Sequence, residues 1–138
     1  MKPWQGWVPR HPRALGGLFA LYWLAMFLAT HIPMPPVESV PNNTDKLVHL
    51  VMYAGFAFLF ALWLSARQAH PTHLIWKVLG ASILYGMLDE LLQIPIESRS
   101  ADIWDFVMDQ IGAVIGWGCF RFSRLKANWL WEPHPPST

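Results

Sequence analysis

The sequence predicts an all-α fold, an integral membrane bundle of four transmembrane helices, and three observations predict it. Only 14% of its 138 residues are charged, against roughly 25% in a soluble domain, while 54% are hydrophobic. Four apolar runs of span length alternate with polar or proline-bearing breaks. Basic and acidic residues segregate onto alternate connections. At this length the chain, residues 1–138, is expected to form a single domain.

Residues 1–13 (MKPWQGWVPRHPR) mix Lys2, Arg10 and Arg13 with Pro, Gly and Trp and predict no regular element. The first span, 14–30, is uncharged and just long enough for a bilayer core of about 30 Å. A secretory signal competes with that reading, but the run is long for a signal core and no A-x-A site follows, so a retained span is expected. Residues 31–44 carry four prolines and form a loop, after which Thr44 or Asp45 is placed to cap the second span, 47–66. That span holds only His49 as an ionisable group. A short polar connection containing Pro71 leads to the third span, 74–94, and the fourth covers 103–122 with Asp105 and Asp109 in its first two turns. The tail, 123–138, is basic and then rich in Trp and Pro.

A soluble four-helix bundle fails on polarity, because the second run offers no hydrophilic face. A net charge of +1 gives no footprint for nucleic acid. Cys119, the single cysteine, lies in an apolar run and reads as packing. Asn42-Asn43-Thr44 fits a glycosylation sequon of low specificity.

With four spans, Lys2, Arg10, Arg13, Arg67, Lys77, Arg121, Arg124 and Lys126 share one side with Glu132. The other side holds Lys46 and Arg99 among Glu38, Asp45, Asp89, Glu90, Glu97, Asp102, Asp105 and Asp109. Positive loops stay in the cytoplasm, so both termini are expected there and the acidic groups face outward. Trp4, Trp7, Trp129 and Trp131 read as interface anchors, and His31, His70 and His73 as interfacial or solvated.

Three segments are expected to meet at the outer face. Asp45 and His49 lie one turn apart at the start of the second span, with Lys46 between them. Glu90 and Gln93 close the third span at i, i+3, and Asp105 and Asp109 open the fourth at i, i+4 after Arg99 in the turn. The dipole of a helix start accommodates Asp102 and Asp105, whereas Glu90 sits near an unfavourable C-terminal end, with Arg99 or Lys46 as its natural counter-ion.

These residues resemble the VanZ-like membrane proteins. The resemblance rests on DKLVH at 45–49 followed by Tyr53, DELLQ at 89–93 and RSADIWDFVMDQIGAVIG at 99–116. Asp45, Lys46, His49, Glu90, Gln93, Arg99, Asp105, Gly112 and Gly116 match the family pattern in order and spacing, and Asp109 stands where the family usually has Asn. The resemblance implies the membrane fold, a bacterial inner-membrane address and a link to glycopeptide resistance, since one member is associated with resistance to teicoplanin. Gly112-x-x-x-Gly116 suits close helix packing, within the chain in preference to between chains.

For the cluster Asp45, Lys46, His49, Glu90, Gln93, Arg99, Asp105 and Asp109, three readings stand. One is a satisfied network that fixes helix register. The second is an outward site for a lipid headgroup or cell-wall precursor, with Lys46 and Arg99 on phosphate or carboxylate and His49, Glu90 and Asp105 as candidates for proton transfer. The third is a divalent metal held by Asp45, His49, Glu90 and Asp105, disfavoured because Lys46 and Arg99 oppose a cation, so no metal is expected. Two functions follow: recognition or modification of an envelope lipid or cell-wall precursor, or service as a non-catalytic accessory subunit of a larger membrane complex, held through the Trp-rich tails and lipid-facing helices. Membrane lipids are partners in both, and no cofactor is named by the residues.

Overall fold

The computed structural model describes residues 11–31, 44–67, 71–96 and 102–130. They form four α-helices: α1 (Pro12–His31), α2 (Thr44–Ala66), α3 (Pro71–Gln93) and α4 (Ile103–Leu130), with no strand among the described residues. The tails with Trp4, Trp7 and Trp131, the loop residues before Thr44, His70 and Arg99 lie outside them.

Two boundaries depart from the sequence expectation. Pro71 opens α3 and does not belong to a connection; a first-turn residue needs no N–H, and the fixed φ of proline already suits the helix. α4 continues past 122 to Leu130 because Arg121, Arg124 and Lys126 are good helix formers. Lys126 Nζ also lies 4.9 Å from the centre of the Phe122 ring, one turn back along the basic segment.

α1 and α2 are each long and apolar enough to cross a membrane. Only 11% of the apolar stretch of α1 and 28% of that of α2 are buried, so neither is the core helix of a soluble domain. α3 and α4 do not reach the same apolarity, since α3 ends on Asp89, Glu90 and Gln93 and α4 begins with Asp105 and Asp109. Large hydrophobic side chains nevertheless face outward on all four helices, among them Leu21, Val51, Trp76, Leu84 and Val114. The interior is mixed: Ser82, Asp89 and Asp109 are fully buried beside Tyr53, Leu74 and Val78. Large apolar side chains outside, with carboxylates buried within, are the arrangement that lipid, not water, stabilises.

α2 and α4 make the most extensive helix pair. A Cβ on Gly112 would meet the carbonyl oxygen of Leu50, and one on Gly116 that of Ala54. The two glycines thus let the α4 backbone rest directly on α2, which is packing within one chain, and Ala57, Ala61 and Ala113 continue the seam of small residues. Around it Leu74, Val78 and Phe120 close the end of the bundle away from the carboxylates. α1 attaches through aromatic rings: Phe19 stacks on Phe60 and Trp63 at centroid distances of 5.0 and 5.7 Å. The Tyr22 hydroxyl donates to the Met52 carbonyl at 2.9 Å, in the space left by Gly55.

Because the obstruction at Gly116 is backbone, Gly116→Ala is expected to destabilise the bundle by about 1–3 kcal/mol. Gly118→Ala, where nothing lies within 4 Å, is expected to leave the melting temperature unchanged or slightly raised. Thermal unfolding of the two purified variants in one detergent checks the contrast.

Candidate functional site

The polar groups gather where the first turns of α2 and α4 meet the last turns of α3. Asp102 is the joint. Its backbone carbonyl accepts the N–H groups of Asp105 and Phe106, and its Oδ1 accepts the Trp104 N–H at 2.8 Å, so it is the N-cap of α4. Its own N–H donates to Glu90 Oε2 at 2.8 Å, tying α4 to α3. Its Oδ2 accepts from Lys46 Nζ at 2.6 Å, tying α4 to α2. Lys46 reaches Asp105 Oδ1 as well, at 3.0 Å.

Lys46 is therefore the counter-ion of Asp102 and Asp105 and not of Glu90, as the sequence had suggested. The reason is reach: Asp102 and Asp105 flank the start of α4, and α2 lies against that helix along its length. Glu90 is instead stabilised by the Asp102 amide, and its other oxygen, Oε1, is buried with no hydrogen-bond partner.

One turn deeper, His49 Nδ1 and Asp109 Oδ1 lie 2.9 Å apart, both residues almost or fully buried. Asp109 Oδ2 has no hydrogen-bond partner. Tyr53, four residues after His49 on the same face of α2, is fully buried with its hydroxyl unpartnered. Asp45 is exposed at the rim, yet one of its oxygens lies within 4.8 Å of ligand atoms of His49 and Asp105. His49, Glu90 and Asp109 form a second such trio, wholly buried, with one ligand atom from each within 4.8 Å of the others.

Of the residues expected to converge, Asp45, Lys46, His49, Glu90, Asp105 and Asp109 do so. Gln93 belongs to a neighbouring cluster: its Nε2 donates to Asp89 Oδ2 at 3.0 Å. Arg99 lies outside the described residues. Sequence reasoning missed the α1 side of this neighbouring cluster. The Thr30 hydroxyl is 3.0 Å from Asp89 Oδ1, and His31 Nδ1 is 3.7 Å from the same oxygen. His31 is not solvated: it stacks on Phe27 with ring centroids 4.0 Å apart, and its Nε2 is buried without a partner. The available signal was the pair Thr30-His31 closing the uncharged run 14–30, where a polar group in hydrocarbon must find something to bond.

Beside the cluster a groove with a volume of about 500 Å³ opens to the surface, lined by Met87, Glu90, Leu91, Asp102, Ile103 and Phe106. Four of its walls are apolar and two are carboxylates.

A family model described as VanZ/LLP1 matches residues 16–124. The chain belongs to the VanZ/LLP1 family. The match takes in α1 through most of α4 and therefore every described site residue, and family and apolar helices together make this a membrane protein. No curated protein matches the chain, and no solved structure does.

The Lys46 ammonium, and after it the Trp104 N–H, hold the Asp102 carboxyl below its ordinary range. A carboxyl depressed in the fold contributes stability that is present above its ordinary pKa of about 3.9 and lost as the pH falls through the lowered value. Asp102→Asn is accordingly expected to flatten the acid limb of the melting-temperature profile below about pH 5, where wild type declines.

Proposed function

We propose that this VanZ/LLP1 protein crosses the bacterial cytoplasmic membrane four times as one domain, with both termini inside, and recognises an envelope lipid or lipid-linked cell-wall precursor at its outward polar site. Support for four crossings comes from the apolar side chains exposed along α3 and α4, which water would not tolerate in that number. Support for the orientation comes from the basic residues of the α1 start, the α2–α3 connection and the α4 end, all on the side opposite the carboxylates.

The observation that carries the recognition reading is the groove. Met87, Leu91, Ile103 and Phe106 offer an acyl or polyprenyl chain an apolar wall, and the carboxylate residues Glu90 and Asp102 complete the lining. Of the two cations that the sequence offers to a phosphate or carboxylate, Lys46 is held by two carboxylates and Arg99 lies outside the described residues. The headgroup that fits is one that donates: an ammonium or sugar hydroxyls.

Filling the groove with Leu91→Trp is expected to weaken retention of phosphatidylethanolamine at least tenfold, read by native mass spectrometry of the chain released from nanodiscs. Leu92→Trp, at a neighbouring exposed position, is the control and should bind as wild type. Equal retention by wild type and Leu91→Trp, or a preference for phosphatidic acid, would count against the reading. For topology, in a Cys119→Ser background, a cysteine introduced by Ser98→Cys is expected to react with an impermeant thiol reagent on intact cells, and one introduced by Ser137→Cys is not.

A further inference from the structure

His49, Glu90 and Asp109 come from α2, α3 and α4 and are all buried, with one ligand atom from each within 4.8 Å of the others. Two carboxylates and one imidazole leave this trio short of positive charge. Lys46, the nearest cation on α2, is already shared between Asp102 and Asp105. Glu90 Oε1 and Asp109 Oδ2 are buried without a hydrogen-bond partner, and Asp109 is fully shielded from solvent. Buried carboxylate oxygens are costly unless something binds them.

We propose that His49, Glu90 and Asp109 hold a divalent cation of the zinc or manganese class. One imidazole nitrogen and two carboxylate oxygens are the donor set for such an ion. The 2.9 Å between His49 Nδ1 and Asp109 Oδ1 is close to the separation of roughly 3 Å between adjacent ligands around a metal with bonds of about 2.1 Å. A second trio, Asp45, His49 and Asp105, shares the imidazole, but Asp105 is bonded to Lys46 and Asp45 is exposed, so the inner set is the better site. Glu90 also lines the surface groove, which provides the ion with a route in. The sequence objection was that Lys46 and Arg99 oppose a cation here; engagement by two other carboxylates answers it for Lys46, and Arg99 lies outside the described residues. With three protein ligands, remaining positions on the ion stay open to water or to an oxygen of a ligand in the groove. The metal site stands or falls separately from lipid recognition.

The test uses the full chain purified in detergent, stripped with EDTA, and incubated with zinc or manganese chloride before desalting. Elemental analysis is expected to find about one ion per chain, with a melting temperature several degrees above the stripped protein. Glu90→Gln and Asp109→Asn, which keep side-chain volume, should each lower affinity tenfold or more. Asp89→Asn, a buried carboxylate outside the trio, should retain the ion. If wild type keeps neither metal and its melting temperature does not respond, the carboxylates are neutralised by protons and the proposal is wrong. It is equally wrong if Asp109→Asn binds as wild type does. Metal retained by Leu91→Trp when lipid is lost would show the groove and the ion site to be distinct.

Discussion

The close approach of α4 to α2 is the constraint on which the site depends. It is set by two absent side chains, at Gly112 and Gly116, which let backbone lie on backbone at Leu50 and Ala54. Three residues before the first of these glycines is Asp109, and one residue before Leu50 is His49, so the same contact that packs the helices also sets imidazole against carboxylate. Separation by one extra methyl layer would replace that hydrogen bond with a gap in a region where neither group has water to turn to.

Charge is arranged in two depths above this contact. The outer layer is balanced by geometry: Lys46 is bracketed by Asp102 and Asp105, and Asp102 also caps α4. The inner layer, His49, Glu90 and Asp109, is not balanced by any lysine or arginine among the described residues. Because the desolvation of a carboxylate grows with depth, the unbalanced layer is also the one where imbalance costs most. A bundle stabilised only by its own contacts would place these groups the other way round, with the paired charges inside and the unpaired ones near water.

Much of this could be read from the chain. The uncharged runs locate α1 and α2 because length and hydropathy are properties of a segment by itself. The i, i+4 spacings of Asp45 with His49 and of Asp105 with Asp109 define shared faces, and the glycine pair marks the seam. What stayed hidden was choice among equivalents. Lys46 had several carboxylates within plausible reach, and only the fold selects Asp102 and Asp105. Asp102 reads as an ordinary cap, since its bonds to Glu90 and Lys46 span 12 and 56 residues. Thr30 and His31 meet Asp89 across 59 and 58 positions, a relation that no local pattern encodes.

Thr30 has one hydroxyl proton and four polar neighbours: His31 Nδ1 at 2.9 Å, the carbonyls of Met26 and Phe27 at 3.3 and 3.1 Å, and Asp89 Oδ1 at 3.0 Å. When the proton points to Asp89 it joins α1 to α3; when it rotates to a carbonyl of its own helix, α1 is satisfied alone. Where the first helix meets Asp89, the hydroxyl of Thr30 and the imidazole of His31 thus share one set of acceptors, and the direction of the hydroxyl proton decides whether α1 is bonded to α3 or to itself. Apart from Thr30, α1 is joined to the rest of the bundle by its rings, by the Tyr22 hydroxyl, by buried Met26 and by His31 Nδ1, 3.7 Å from Asp89, so the carboxylate of α3 is the one polar group through which the first helix touches the charged end of the molecule among the described residues.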